Sequence, residues 1–150
     1  MIQEWRQSFL DRLFSLCYNR CGIDGTGNGW GEVGPLAGIE WLLEIFGCPP
    51  EALRSQGALA DLFQAIVSEM GLKPVGLPVW HHFPDTGGIT GFWLLQESHL
   101  AIHTFPEFQS ACLNVFCCSE RRAIDWESAL SRLLGAKEIR TREYLRIYQK

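Results

Sequence analysis

A serine, two histidines, a glutamate and a cysteine in the middle of the chain have the side chains needed for nucleophilic and acid–base chemistry. Ser98 is followed by His99 and His103, by Glu107 nine residues on, and by Cys118 after twenty. In a strand that begins at His99, His99 and His103 share one face. A following antiparallel strand that ends near Cys118 brings this thiol back toward the start of its neighbour. We therefore expect Ser98, His103 and Cys118 to converge at one end of a sheet.

The spacing of these residues also has a structural interpretation. A serine and a histidine on neighbouring strands are commonly core residues that hydrogen-bond to each other, with no catalytic role. A short motif of this kind is a hypothesis until its structural context is known. On spacing alone, both the catalytic and the structural interpretation stay open.

The hydrophobic pattern indicates which elements position these residues. Spacings of three and four predict helices at 4–18, 57–70 and 126–134, with Asp125 as the cap of the last one. Apolar runs or alternation of period two predict strands at 92–96, 99–105, 111–118 and 137–148. The segment 39–46 fits either a helix or a strand, 72–80 is extended but interrupted by prolines, 84–88 is a turn, and 22–38, with seven glycines, is a flexible loop. Strands in hairpin order with few helices predict an α+β fold, a two-layer sandwich in which an antiparallel sheet carries helices on one face.

Composition limits the possible classes of function. The 150 residues suit one domain with a real core, and 47% hydrophobic with 20% charged residues is typical of a globular protein. A net charge of -4 disfavours nucleic acid as a partner, because phosphate binding needs clustered Lys and Arg. There is no apolar run long enough to cross a membrane and no secretory signal pattern, so we expect a cytoplasmic protein whose six cysteines stay reduced.

An eleven-residue segment around Ser98 carries a specific family resemblance. The segment 97–107, ESHLAIHTFPE, resembles the signature of the short prokaryotic S-adenosylmethionine decarboxylases, in which a cysteine lies some twenty residues past the serine. The segment 38–48, GIEWLLEIFGC, is similar to the first strand of that family, and 88–91, GITG, to one of its turns. Trp126 falls where the family has its last helix. The resemblance covers about residues 38–145 in order, and implies that 1–37 is an extension before a decarboxylase-like domain at 38–150.

The resemblance implies that the chain makes its own cofactor. The hydroxyl of Ser98 attacks the carbonyl carbon of Glu97, and a later elimination and hydrolysis leave a pyruvoyl group at residue 98. His103 matches the proton acceptor in this processing, and Thr90 matches a hydroxyl residue that assists it. No metal is implied. The products are two chains, 1–97 and 98–150.

The resemblance further implies a decarboxylase of polyamine synthesis that acts on S-adenosylmethionine and provides the aminopropyl donor for spermidine. The pyruvoyl carbonyl forms a Schiff base with the substrate amine and accepts the electrons released with carbon dioxide. Cys118 matches the proton donor to the product, whereas Cys117 is expected to be a packing residue. Glu107 and Phe83 match substrate-binding residues, and for Phe83 plain core packing stays an equal alternative. The family is dimeric, which implies a homodimer.

Some positions depart from the family pattern and leave the substrate open. Glu40 replaces a histidine of the first strand, Phe92 and Trp93 replace smaller aliphatic residues, and the turn at 85–88 is about one residue longer. A bulkier pocket with extra acidic residues would suit arginine or ornithine, on which related pyruvoyl enzymes act. A catalytically silent homologue that keeps the fold is the other alternative.

Three further motifs are weak. The glycines of 29–34 match a dinucleotide fingerprint, but they follow no strand and run into a proline. Cys17 and Cys21, taken with 117–118, have the spacing of no common zinc site. The pair His81 and His82 is better interpreted as a strand end than as a metal site.

Overall fold

Six strands, three helices and a short 3-10 turn make up the part of the chain that the computed structural model describes, residues 37–119 and 121–147. In chain order these are β1 (Ala37–Phe46), α1 (Pro50–Leu53), α2 (Gln56–Glu69), β2 (Val79–His82), β3 (Ile89–Leu95), β4 (Ser98–Phe105), the 3-10 turn (Pro106–Phe108), β5 (Ser110–Cys117), α3 (Trp126–Leu134) and β6 (Glu138–Ile147). The strands form one sheet in the order β2-β3-β4-β5-β1-β6, and each of its neighbouring pairs is antiparallel.

The helices all pack on one face of this sheet, which we call the covered face. On α2, Phe63 lies 5.0 Å from Trp80 of β2 and 6.2 Å from Trp93 of β3, measured between ring centroids. On α3, Trp126 lies 6.1 Å from Trp41 of β1. These contacts confirm the predicted α+β sandwich with helices on one face.

The opposite face of the sheet, which we call the open face, has no helix over it among the described residues. Alternation along the strands puts Phe92 and Leu94 of β3 and Val79 of β2 there, and these apolar side chains are 43%, 40% and 70% exposed. Sheets that carry so much apolar surface commonly bury it against another surface.

Local sequence explains where the helices begin and end. The side chain of Ser55 accepts a hydrogen bond from the backbone N–H of Ala58 at the start of α2, and Asp125 does the same for Ser128 at the start of α3. Gly135 ends α3 in the left-handed conformation, which glycine adopts at little cost. The predicted cap at Asp125 and the predicted bounds 126–134 are confirmed.

The remaining predicted elements agree with the structure to within a few residues, with three differences. The ambiguous segment 39–46 is a strand, because β1 pairs with β5 on one side and β6 on the other. The extended segment 72–80 forms an isolated bridge between Pro74 and Leu95 and becomes a strand only from Val79, since Pro74 and Pro78 lack the N–H that a continuous ladder needs. The short helix α1 was not predicted. The predicted helix at 4–18, most of the loop 22–38, the 29–34 glycines and Cys17 and Cys21 lie outside the described residues, and the domain division at 37–38 stays a prediction.

A buried threonine connects three elements of the covered face. Thr104 on β4 is 2% exposed, and its hydroxyl accepts a hydrogen bond from the N–H of Ile89 at 2.8 Å and donates to the carbonyl of Leu53 at 2.9 Å. These bonds fix the start of β3 and the end of α1 to the middle of the sheet. Buried polar groups that are fully paired in this way specify one arrangement of the elements.

Candidate active site

Ser98 lies at a tight turn where β3 passes into β4. Leu95 pairs with Ser98 across the turn, so that only Gln96 and Glu97 connect the two strands. The Ser98 Oγ atom is buried and has no hydrogen-bond partner among the residues described, although the residue as a whole is only half-buried. The exposed part of Ser98 is therefore its backbone and Cβ. A buried hydroxyl without a partner is unusual, and one use for it is as a nucleophile.

The peptide bond between Glu97 and Ser98 is held by the segment that follows β5. The backbone N–H of Cys118 donates to the carbonyl oxygen of Glu97 at 2.9 Å. The side-chain carboxylate of Glu97 accepts a hydrogen bond from Arg121 at 2.7 Å and one from Ser119 at 3.5 Å. A donor on the carbonyl oxygen polarises the carbonyl group and stabilises negative charge that develops on it.

The two adjacent cysteines have different surroundings. Cys117 is paired with Ser98 across β4 and β5 and is 1% exposed, so the prediction that it is a packing residue is consistent with its burial. Burial raises the pKa of the Cys117 thiol, and the Ser98 hydroxyl beside it opposes part of that increase, although the two groups do not reach hydrogen-bond geometry. Cys118 follows the strand and is half-buried. The prediction that β5 returns Cys118 to the start of β4 is confirmed.

His103 occupies the other end of β4, on the open face. Its Nδ1 atom lies 2.6 Å from the Thr90 hydroxyl oxygen, and the two residues are directly opposite each other on β3 and β4. The rings of Phe105 and Phe83 lie 4.5 and 5.2 Å from the imidazole ring, measured between centroids. Phe83 therefore contacts a functional candidate while staying partly exposed, and Glu107, in the 3-10 turn just past β4, is exposed at the same end.

Ser98 and His103 do not meet within one chain. They are five residues apart on one straight strand, which is roughly 16 Å of rise, and their side chains point to opposite faces. The expectation that both converge with Cys118 was wrong for His103, because a strand cannot bring its own two ends together. The described chain thus has two half-sites. One holds Glu97, Ser98 and Cys118, and the other holds Thr90, His103, Phe83 and Glu107.

A polar network on the open face joins His99 to the edge of the sheet. His99 Nε2 lies 2.8 Å from the Asn114 side-chain oxygen, and the Asn114 amide nitrogen donates to Glu40 at 2.9 Å. Arg146 completes the network as an ion pair with Glu40. Burial raises the pKa of Glu40, but the hydrogen bonds from Arg146 and Asn114 outweigh it, so that the pKa is lowered overall. Sequence reasoning missed this network because its members come from four strands.

Similarity to known proteins extends over nearly all of the described residues. A sequence profile described as S-adenosylmethionine decarboxylase matches residues 39–147. The chain belongs to this family. The S-adenosylmethionine decarboxylase proenzyme of Caldicellulosiruptor saccharolyticus is 33% identical over 111 residues, which cover 70% of this chain and 84% of the relative. The proenzyme of Syntrophomonas wolfei is 39% identical over 80 residues, 53% of this chain and 62% of the relative.

Two further S-adenosylmethionine decarboxylases are similar to this chain, one in sequence and one in structure. With proenzymes of Methanococcus maripaludis, identity is 34% over 79 residues, and the chain spans 63% of their length. The crystal structure of the adenosylmethionine decarboxylase from Aquifex aeolicus superposes with a TM-score of 0.62 at 20% identity, covering 78% of this chain and 96% of that chain, which supports the fold.

The part of the chain that the structure describes contains neither a cluster of metal ligands nor a helix that could span a membrane. No group of three or more His, Cys, Asp or Glu side chains is placed to hold a metal ion there, and His81 instead packs edge-on against Phe83 at 4.7 Å. Over the same residues, none of the helices has both the length and the apolar character needed to cross a bilayer.

Proposed function

We propose that this chain is a self-processing, pyruvoyl-dependent decarboxylase that acts on S-adenosylmethionine in polyamine synthesis. The observation that carries the proposal is the Glu97–Ser98 peptide, where a buried, unpartnered hydroxyl adjoins a carbonyl that already accepts a hydrogen bond from Cys118. Membership of the family supports the reaction class.

Processing starts when Ser98 Oγ forms a bond to the Glu97 carbonyl carbon and the peptide C–N bond breaks, with the hydroxyl proton passing to the released nitrogen. The amide becomes an ester, and the Cys118 N–H stabilises the charge on the carbonyl oxygen during the attack. A base then removes the α-proton of Ser98 while the Cβ–Oγ bond breaks, so that Glu97 leaves as a carboxylate. Hydrolysis of the resulting dehydroalanine releases ammonia and leaves a ketone at residue 98.

The base is His103 of a second copy, because the first copy's own His103 is roughly 16 Å of strand away. If the open faces of two copies pack across a two-fold axis, the His103 end of one β4 lies over the Ser98 end of the other. The exposed backbone of Ser98 and the apolar residues of the open face fit this arrangement. Because the Thr90 and His103 side chains are in contact, Thr90 of the second copy would reach the same site. The homodimer is therefore part of the proposal.

The same pairing places substrate-binding residues near the cofactor. Phe83 lies against His103 and Glu107 follows the same strand, so both would arrive at Ser98 with the partner. An aromatic ring and a carboxylate suit a substrate with an adenine ring and a sulfonium cation. The pyruvoyl group, when formed, supplies a ketone that holds the substrate amine and accepts electrons as carbon dioxide leaves. Cys118 then returns a proton from its sulfur to the product carbon.

The acidic residues near the open face favour S-adenosylmethionine over arginine or ornithine. Glu40 is occupied by Arg146, and Glu44 is bound by Arg142 through two hydrogen bonds of 3.0 and 3.4 Å. Neither carboxylate is available for a dibasic amino acid without first losing an arginine. Release of labelled carbon dioxide from each of the three substrates separates the alternatives, and activity on arginine or ornithine alone would reject this assignment.

The direct test of self-processing is the mass of the purified protein. We expect two chains, 1–97 and 98–150, with the second one carrying a ketone in place of the serine amine. Ser98→Ala should remain a single uncut chain with the same fold, because only the nucleophile is lost. An intact wild-type chain after prolonged incubation would instead indicate the silent homologue. We also propose a cytoplasmic location, since a thiol that donates a proton must stay reduced, as cysteines do in that compartment.

A further inference from the structure

The Arg121 guanidinium, which binds the residue before the cleavage point, has one nitrogen that donates a hydrogen bond and another that has no acceptor among the described residues. One guanidinium nitrogen is bound to the Glu97 carboxylate at 2.7 Å, with side-chain exposures of 31% for Arg121 and 17% for Glu97. The Nε atom of the same guanidinium is buried and has no acceptor among the residues described. Buried guanidinium donors are normally paired, since leaving one without an acceptor is costly. The arginine is therefore prepared to bind more negative charge than the described residues of the uncut chain offer.

Two hydrogen bonds restrict Glu97, the residue on the N-terminal side of the scissile bond. Glu97 is held through its carbonyl oxygen by the N–H of Cys118 and through its side chain by Arg121. Both donors belong to the segment that follows β5. With its carbonyl and side chain fixed, the Glu97 carbonyl carbon presents one orientation to the Ser98 hydroxyl, and such positioning accelerates an intramolecular attack.

Cleavage creates the missing acceptor. In the elimination step the Cβ–Oγ bond of Ser98 breaks, its electron pair stays on the oxygen, and the α-proton goes to the base. Residue 97 then carries an α-carboxylate as well as its side-chain carboxylate, so its charge changes from -1 to -2. A guanidinium with a free donor at this residue stabilises the leaving carboxylate and keeps the new chain end in place.

We propose that Arg121 is a positioning residue for self-cleavage that acts through the side chain of Glu97 and also serves as the counter-ion of the new carboxylate. This inference rests on the proposed self-processing. It adds a role that the sequence signature at 97–107 does not contain, since Arg121 lies outside that segment and is brought to it by the pairing of β4 and β5.

The test follows the cleavage rate of newly synthesised full-length chain by denaturing electrophoresis. Arg121→Ala should slow cleavage by about ten-fold or more, the size expected for loss of one charge-assisted hydrogen bond. Arg121→Lys should recover part of the rate, because the charge is kept. The matched control is Arg122→Ala, which removes the exposed arginine next in the chain and should leave the rate within about two-fold.

Two further measurements separate this role from a general effect on folding. Hydroxylamine cuts the ester form, so accumulation of hydroxylamine-sensitive chain in folded Arg121→Ala indicates a slowed elimination. In a double-mutant cycle, Glu97→Gln combined with Arg121→Ala should cost little more than either change alone. Additive losses, or a normal rate in folded Arg121→Ala, would overturn the inference. If wild-type chain is never cut, the proposed function itself fails.

Discussion

At the scale of single residues, side chains proposed to react differ from structural ones in their hydrogen bonding and burial. Ser98 Oγ has no partner among the described residues, whereas the hydroxyl of Thr104, six residues further along β4 on the same face, is fully hydrogen-bonded. Burial also raises the pKa of the Cys48 thiol to about 11, which makes it a packing residue at neutral pH. The types of these side chains are not informative by themselves, and their surroundings decide what each can do.

The Glu40 carboxylate should stabilise the fold in a pH-dependent way. Its pKa is lowered in the folded chain, so the stabilisation is present above the unfolded pKa of about 4.3 and is lost as pH falls through the folded value. Because Arg146 is 54% exposed, we expect Glu40→Gln to cost only about 1 kcal/mol at pH 7. Urea unfolding at pH 7 and pH 3 should show the difference from wild type shrinking at the lower pH.

The control for this measurement is Glu51→Gln, which alters an exposed carboxylate on α1. A Glu40→Gln difference that is equal at both pH values would show that the ion pair and the Asn114 contact do not determine the stability.

At the scale of elements, the sequence predicts the strands well and their partners poorly. The bounds 99–105, 111–118 and 126–134 differ from the structure by at most one residue, because alternation, Pro106 and the Asp125 cap mark them clearly. The position of β6 beside β1 could not be predicted, since their pairing is a choice among strands distant in sequence. The same limit explains why the Glu40 network and Arg121 were missed, while Ser98, His103 and Cys118 were found from a local motif.

The pairing of β2 with β3 depends on a glycine under an aromatic ring. Trp80 lies directly opposite Gly91, and a Cβ atom at Gly91 would overlap the Trp80 ring. The ring also packs on Phe63 of α2, so it cannot move away freely. We expect Gly91→Ala to destabilise the fold by about 2 kcal/mol, as overpacking of a well-filled core does. Thermal unfolding of the variant measures this.

A second glycine provides the comparison. Gly57 on α2 has open space around its Cβ position, with Ser55 Oγ the nearest atom at 3.8 Å. Gly57→Ala should raise stability by up to about 1 kcal/mol, because alanine is the better helix former. If both substitutions had the same sign, the close packing of Trp80 on Gly91 would not be the cause.

At the scale of the whole molecule, the two half-sites lie at opposite ends of one strand. One holds the Glu97–Ser98 peptide with Cys118, and the other holds His103 with Thr90. The proposed homodimer makes each active site from one half-site of each copy. A monomer would then be unable to process itself, whatever its stability.

Complementation between two inactive variants tests this shared site. Ser98→Ala cannot be cut, and His103→Ala lacks the base, so each should remain uncut when expressed alone. In mixed dimers, the Ser98→Ala copy supplies His103 to the other copy. Co-expression should therefore restore cleavage in the His103→Ala chain only, which distinguishable tags reveal by electrophoresis. Uncut chains in demonstrated mixed dimers would contradict the shared site.

The strand order has a consequence for the mature protein. Chain 1–97 would contribute β1, β2 and β3, and chain 98–150 would contribute β4, β5 and β6. In the sheet, β2 and β3 of the first chain lie beside β4 and β5 of the second. Strand β1 of the first chain then lies between β5 and β6 of the second. The two products would therefore be interlaced and would stay together after the cut. After denaturation, however, the two chains would have to reassociate. Refolding would then be bimolecular, and dilution would slow it. Cleavage would thus convert a chain that can refold by itself into a two-chain protein whose lifetime depends on slow unfolding.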